Sequence, residues 1–90
     1  MCTMIVEKAA VTGSGRGPKG WFELKEANVS FDHPQNAQLD HALNIDFVNH
    51  ELGLDKRVAV EMSADSARRL IVAIEEALRR GEEEEGLDTR

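Results

Sequence analysis

The sequence predicts an α+β fold, in which a four-stranded antiparallel β-meander is followed by one C-terminal helix packed on one face (ββββα). Residues 41–48 and 57–62 alternate apolar and polar side chains with the period of a half-buried strand. Residues 63–81 instead repeat apolar side chains with the period of an amphipathic helix. Segments rich in glycine or proline separate the earlier strands, as hairpin connections do.

The first two strands are predicted at residues 2–12 and 21–33 from their content of Val, Ile, Phe and Thr. Residues 13–20 lie between them and contain four glycines and one proline, so they are predicted to form a loop. Pro34 ends the second strand, and a second loop is predicted to run to Asp40.

The helix has clear signals at both ends. Ser63 is a suitable N-cap, and Asp65 places negative charge in the first turn. Gly81 is a typical stop residue. The sequence therefore predicts a single α+β domain at residues 1–81 and a disordered acidic tail at residues 82–90.

The composition argues against two classes of function. The chain has 90 residues, a net charge of −6 and no basic stripe, so a nucleic-acid partner is not expected. No apolar run approaches the length of a membrane span, and the N-terminus lacks a signal-peptide pattern. A single cysteine excludes an internal disulfide and favours a cytoplasmic location.

Strand pairing is predicted by placing apolar side chains on one face, because a slip of one residue would invert every side chain. Phe31 is then opposite Leu43, and Phe47 is opposite Val58. In the first hairpin the apolar phase changes, which predicts a β-bulge near Glu26.

The same reasoning predicts that Val11 is opposite Phe22 and that Cys2 is beside Phe31. These pairings bring Cys2, His33 and His41 to one end of the apolar face, where directly opposed Cβ atoms are about 5 Å apart. Loss of the initiator Met would leave the Cys2 amine beside its thiol. We therefore predict a site for a transition metal (Zn, Cu or Fe) or a small-molecule ligand at these three residues.

A catalytic role for the same residues is the alternative. Cys2 would be a ligand or nucleophile, and His33 or His41 a ligand or base. An ordinary structural interpretation also exists, because a terminal cysteine is usually a small apolar residue and histidines at a hairpin end are usually solvated.

Two weaker candidates lie elsewhere. Ser14, Arg16 and Lys19 in the glycine-rich loop are predicted to bind an anion or to act as a lid, although a mobile hairpin loop is the simpler interpretation. Asp46 and Glu61 are on the polar sheet face, where a solvated surface is the usual interpretation.

The predicted sheet also suggests a partner. Four strands at about 4.8 Å spacing are nearly twice as wide as one helix of about 10 Å diameter. The apolar face that remains uncovered predicts a homodimer through the sheet. A strongly coiled sheet that wraps around the helix is the alternative.

Three stretches carry a family resemblance: MCTMIVEKAAVTGSGRGPKGW, FDHPQNAQLDHALNIDFVN and RVAVEMSADSARRLIVAI. Together they resemble a family of small actinobacterial proteins of unknown function, over nearly the whole chain to about Arg80. The resemblance implies a bacterial, cytoplasmic, stand-alone domain and carries over no catalytic residue.

Three functional hypotheses follow. The first is a small dimeric binding or accessory domain with its ligand near Cys2, His33 and His41. The second is a small metal- or thiol-dependent enzyme that uses the same residues. The third is a structural protein-interaction module that uses the uncovered sheet face.

Overall fold

The computed structural model describes residues 5–32, 41–53 and 55–85. Its elements run in the predicted order ββββα, and the strands form one antiparallel sheet in the order β1-β2-β3-β4. The predicted fold class is therefore confirmed. The elements are β1 (Ile5–Gly17), β2 (Gly20–Asp32), β3 (Ala42–Val48), a 3-10 turn (His50–Leu52), β4 (Arg57–Met62) and α1 (Ala64–Glu85).

The pairing of the last three strands agrees with the prediction. Phe31 is opposite Leu43, and Phe47 is opposite Val58. Apolar side chains of β2, β3 and β4 therefore share one face of the sheet, which we call the apolar sheet face. Its members in these three strands are Ala27, Val29, Phe31, Leu43, Ile45, Phe47, Val58, Val60 and Met62.

The predicted pairing of the first hairpin was wrong. Phe31 is opposite Ile5 rather than Cys2, and Phe22 is opposite Gly15 rather than Val11. The predicted loop at residues 13–20 is also mostly strand, because β1 continues to Gly17 and β2 begins at Gly20. Since the turn between them is so short, every residue pair in the hairpin is shifted from the prediction. A register shift does lie between Ala10 and Gly13, close to the predicted bulge.

The glycines of β1 make this long hairpin possible. A Cβ atom on Gly15 would lie 2.9 Å from Cδ2 of Leu24 and 3.4 Å from Cγ2 of Val58. A Cβ atom on Gly17 would lie 3.1 Å from Cε1 of Phe22. At these two positions β1 has no side chain, and the buried Phe22 and Leu24 pack there. The C-terminal end of β1 also lies close to β4.

Asn49 fastens this hairpin to the rest of the sheet. Its side chain is 2% exposed, and its Nδ2 donates to the carbonyl of Glu23 in β2 at 2.9 Å. Its Oδ1 accepts from the backbone N–H of Glu51 at 3.1 Å and so caps the 3-10 turn. One buried amide therefore joins β2 to the connection between β3 and β4.

The helix begins as predicted and ends later than predicted. Ser63 Oγ accepts from the backbone N–H of Ser66 at 3.1 Å, which caps the first turn. The stop predicted at Gly81 was wrong, because α1 continues to Glu85. Ion pairs span the glycine, from Arg79 to Glu83 and from Arg80 to Glu84. Only residues 86–90 of the predicted disordered tail lie outside the described residues.

The described residues bury a small apolar core. Its members are Phe22, Leu24, Ala27, Ala42, Val48 and Ala67, and three of these are alanines. The helix approaches the sheet at β3. Ala67 is its one buried residue among those whose burial is described, and every side chain from 68 to 80 is exposed. No helix within the described residues has the length and apolar character needed to cross a membrane.

Candidate functional site

Of the three residues in the predicted Cys/His site, the structure describes His41. Cys2 and His33 lie outside the described residues. His41 is exposed, and its ring stacks on that of Phe31, with centroids 5.7 Å apart and planes at 8°. Since Ile5 takes the position opposite Phe31 that was predicted for Cys2, the pairing that brought the thiol to His41 no longer applies. Among the described residues no group of three or more His, Cys, Asp or Glu could hold a metal ion.

The predicted anion or lid loop has a different structure. Ser14 and Arg16 belong to β1, where Ser14 is opposite Glu23 and Arg16 is opposite Trp21. Lys19 lies in the turn, and its Nζ is 3.1 Å from a carboxylate oxygen of Asp55. The hydrogen bond and charge of Lys19 lower the pKa of Asp55 below its usual value. The lysine therefore links the hairpin tip to the segment before β4.

On the polar sheet face, Asp46 and Glu61 are half-buried and are paired across the strands as predicted. Asp46 is opposite Ala59, whereas Glu61 is opposite Asn44. The carboxylate of Asp46 forms an ion pair with Arg57. Asp46 and Glu61 therefore belong to different cross-strand pairs and are not opposite each other.

The most extensive unexplained feature is the apolar side of α1. Ile71, Ile74 and Leu78 are 55%, 50% and 56% exposed, although a helix of this kind normally buries such side chains. We call the whole set the α1 stripe. It consists of Ala67, Leu70, Ile71, Ile74, Ala77, Leu78 and Gly81.

The spacing within the α1 stripe is that of a helix-pairing surface. Ala67, Ile71, Ile74, Leu78 and Gly81 follow one another at alternating intervals of four and three residues. This is the pattern in which the a and d positions of a coiled coil recur over two heptads. From the sequence, the helical period of the stripe predicted that it packs on the sheet of the same chain. The alternating intervals were the available signal for a second helix.

Charges beside the α1 stripe are unevenly distributed along the helix. Arg68 and Arg69 lie in its N-terminal half, whereas Glu82, Glu83 and Glu84 lie in its last turn. Arg79 pairs with Glu83 and Arg80 pairs with Glu84 within the chain. No ion pair is found for Glu82 within the described part of the chain.

The apolar sheet face is incompletely covered as well. Val60 is 37% exposed, and Ile5, which is opposite Phe31, is 54% exposed. The alternative in which the sheet wraps its own helix would bury these side chains and the α1 stripe together. The described residues therefore present two apolar surfaces that intramolecular packing leaves open.

Comparison with known sequences places the chain in a family. The profile of a family of unknown function (DUF6295) matches residues 1–87, so the chain belongs to that family. No curated protein and no solved structure matches the sequence significantly.

Proposed function

We propose that this chain is a protein-interaction module that assembles with a second copy of itself through the α1 stripe. One observation carries the proposal. From 68 to 80, thirteen consecutive helical residues include four large aliphatic side chains of the stripe, and none of them is buried. An exposed apolar surface of this kind marks an interaction site in a folded protein.

Burial of the α1 stripe supplies free energy of the same order as the cost of association. Complete burial of one Leu or Ile side chain contributes about 1.5–3 kcal/mol. A dimer contains eight such side chains, because each copy contributes Leu70, Ile71, Ile74 and Leu78, which are already about half buried. Burying the rest of all eight contributes on the order of 10 kcal/mol. That amount is comparable with the cost of about 4–15 kcal/mol for lost translational and rotational freedom.

The surface area supports a second copy as the occupant. The chain exposes 7140 Å², whereas a compact monomer of its mass of 10.0 kDa exposes about 5,200 Å². Its radius of gyration of 14.9 Å likewise exceeds the value of about 12 Å for a compact chain of this length. The chain is therefore more extended than a compact monomer, as expected for a subunit that buries surface against a second copy.

Unfolding is expected to depend on protein concentration. If a second copy covers the α1 stripe, mass action stabilises the folded dimer, so the thermal midpoint rises as the protein is concentrated. Differential scanning calorimetry over a hundredfold concentration range measures this effect. A midpoint that stays constant across the range would contradict the proposal.

A second candidate function is binding of a transition metal or small molecule at Cys2, His33 and His41. Two observations support it. The paired strands β2 and β3 end at Asp32 and begin at Ala42, which are the sequence neighbours of His33 and His41. The ring of His41 also stacks on Phe31. A thiol- or metal-dependent enzyme using Cys2 as nucleophile or ligand is the catalytic version of this proposal.

Metal binding predicts a stoichiometric ion in untagged protein and its loss in His41→Ala. Elemental analysis after growth in metal-rich medium measures the ion. Less than about a tenth of an equivalent in the unaltered protein would exclude a resident metal, because structural and catalytic sites bind at stoichiometric levels. A bacterial cytoplasm is the setting we propose, since a single cysteine suits a reducing compartment.

A further inference from the structure

We propose that α1 pairs antiparallel with α1 of the second copy, with Ile74 against Leu78 of the second copy and Arg68 against Glu82 of the second copy. This inference rests on the proposed self-association. It specifies the partner element, its direction and its register.

The heptad spacing leads to the register. With Ile71 and Leu78 as a positions, Ile74 and Gly81 are d positions. In an antiparallel pair each a residue meets a d residue of the other helix. Ile74 then meets Leu78 of the second copy twice, once on each side of the twofold axis. Ile71 meets Gly81, where the absence of a side chain leaves room for the larger partner.

The flanking charges favour this direction over the parallel one. In the antiparallel register, Arg68 and Glu82 of the two copies occupy facing e positions, so two symmetry-related opposite-charge pairs form, against one like-charge pair of the two Glu75 residues at the twofold axis. Glu82 has no ion pair within the described residues, and Arg68 has only an exposed pair with Asp65 at 3.5 Å. A parallel pair would instead bring the acidic last turns of both copies together, at Glu82, Glu83 and Glu84.

The helix dipoles lead to the same direction. In the antiparallel pair, the N-terminal end of each helix lies beside the acidic C-terminal end of the other. The partial positive charge at the N-terminus therefore faces carboxylates of the second copy. Antiparallel pairing also places the two sheets at opposite ends of the helix pair, since each sheet precedes its own helix.

Cysteine crosslinking tests the direction and register. Cys2→Ser removes the native thiol, and Glu75→Cys or Ile71→Cys then adds one thiol on α1. In the proposed register the two Glu75 positions face each other across the twofold axis. The two Ile71 positions are about 15 Å apart along the axis, at 1.5 Å per residue. A short bismaleimide should therefore give about tenfold more crosslinked dimer with Glu75→Cys, because crosslinking requires close approach.

Light scattering on the same samples gives their mass, which separates the other possible crosslinking results from one another. A dimer that crosslinks mainly through Ile71→Cys is parallel, which overturns this inference and leaves the proposed assembly in place. A dimer in which neither variant crosslinks, or both do equally, has no such helix register and also overturns it. A monomeric mass for the unaltered protein overturns the proposed function itself.

Discussion

Replacing Ile74 by Glu is expected to convert the assembled protein into monomers. Ile74 lies in the middle of the α1 stripe and is 50% exposed in the single chain. A symmetric helix pair would bury two new carboxylates against apolar side chains, at a cost of roughly 2–4 kcal/mol each. The dissociation constant should therefore increase by a factor on the order of a thousand or more. Sedimentation equilibrium measures that change.

Val72→Glu is the matched control. Val72 belongs to the same helix and is 64% exposed, but it lies outside the α1 stripe. Its substitution adds the same charge where water already surrounds the side chain, so the mass should not change. If Ile74→Glu kept the mass of the unaltered protein, or if both variants dissociated alike, the stripe would not be the contact surface.

Asn49→Ala is expected to destabilise the fold by about 1–3 kcal/mol, because it removes two hydrogen bonds made by a buried amide. The side chain of Asn49 donates to the Glu23 carbonyl at 2.9 Å and accepts from the Glu51 N–H at 3.1 Å. Loss of the amide therefore removes both the link to β2 and the cap of the 3-10 turn. The free energy of unfolding in urea, measured at one protein concentration, reports the loss.

Asn44→Ala provides the comparison with the same change of residue type. Asn44 is half-buried, its Nδ2 donates only a long bond of 3.4 Å to the carbonyl of Ala42, and its Oδ1 lacks a partner within the described residues. Its substitution should cost less than about 1 kcal/mol, since no well-formed hydrogen bond is lost. Equal costs for the two variants would show that Asn49 does not fasten the hairpin.

The sheet could be predicted where apolar residues alternate strictly. In β3 and β4, a shift of one residue would turn Ile45 and Val60 to the polar face, so a single pairing was consistent with the pattern. The first hairpin lacked that constraint, because its glycines have no side chain to assign to either face. Whether β1 ends before or after Gly15 depends on how closely Leu24 can pack, which is a tertiary property.

The end of the helix was mispredicted for a related reason. Gly81 was interpreted as a stop from its intrinsic preference, which is a weak effect of about 1 kcal/mol. In the structure, the pairs Arg79–Glu83 and Arg80–Glu84 cross that position, and the helix continues. Two such pairs, at about 0.2–0.5 kcal/mol each, largely offset the preference of one residue.

The α1 stripe could be predicted from the sequence, but the surface that it packs against could not. An amphipathic helix has the same period whether it covers its own sheet or another helix. The exposure of Ile71 and Leu78 distinguishes the two cases, and this exposure is a property of the folded chain. The Cys2 prediction depended on the pairing of β1, which was the least constrained of the three.

The mass of the unaltered chain in solution tests the central claim most directly. Light scattering coupled to size-exclusion chromatography at micromolar concentrations should give about twice the chain mass of 10.0 kDa. A single species at the mass of one chain, unchanged up to the highest soluble concentration, would contradict the account.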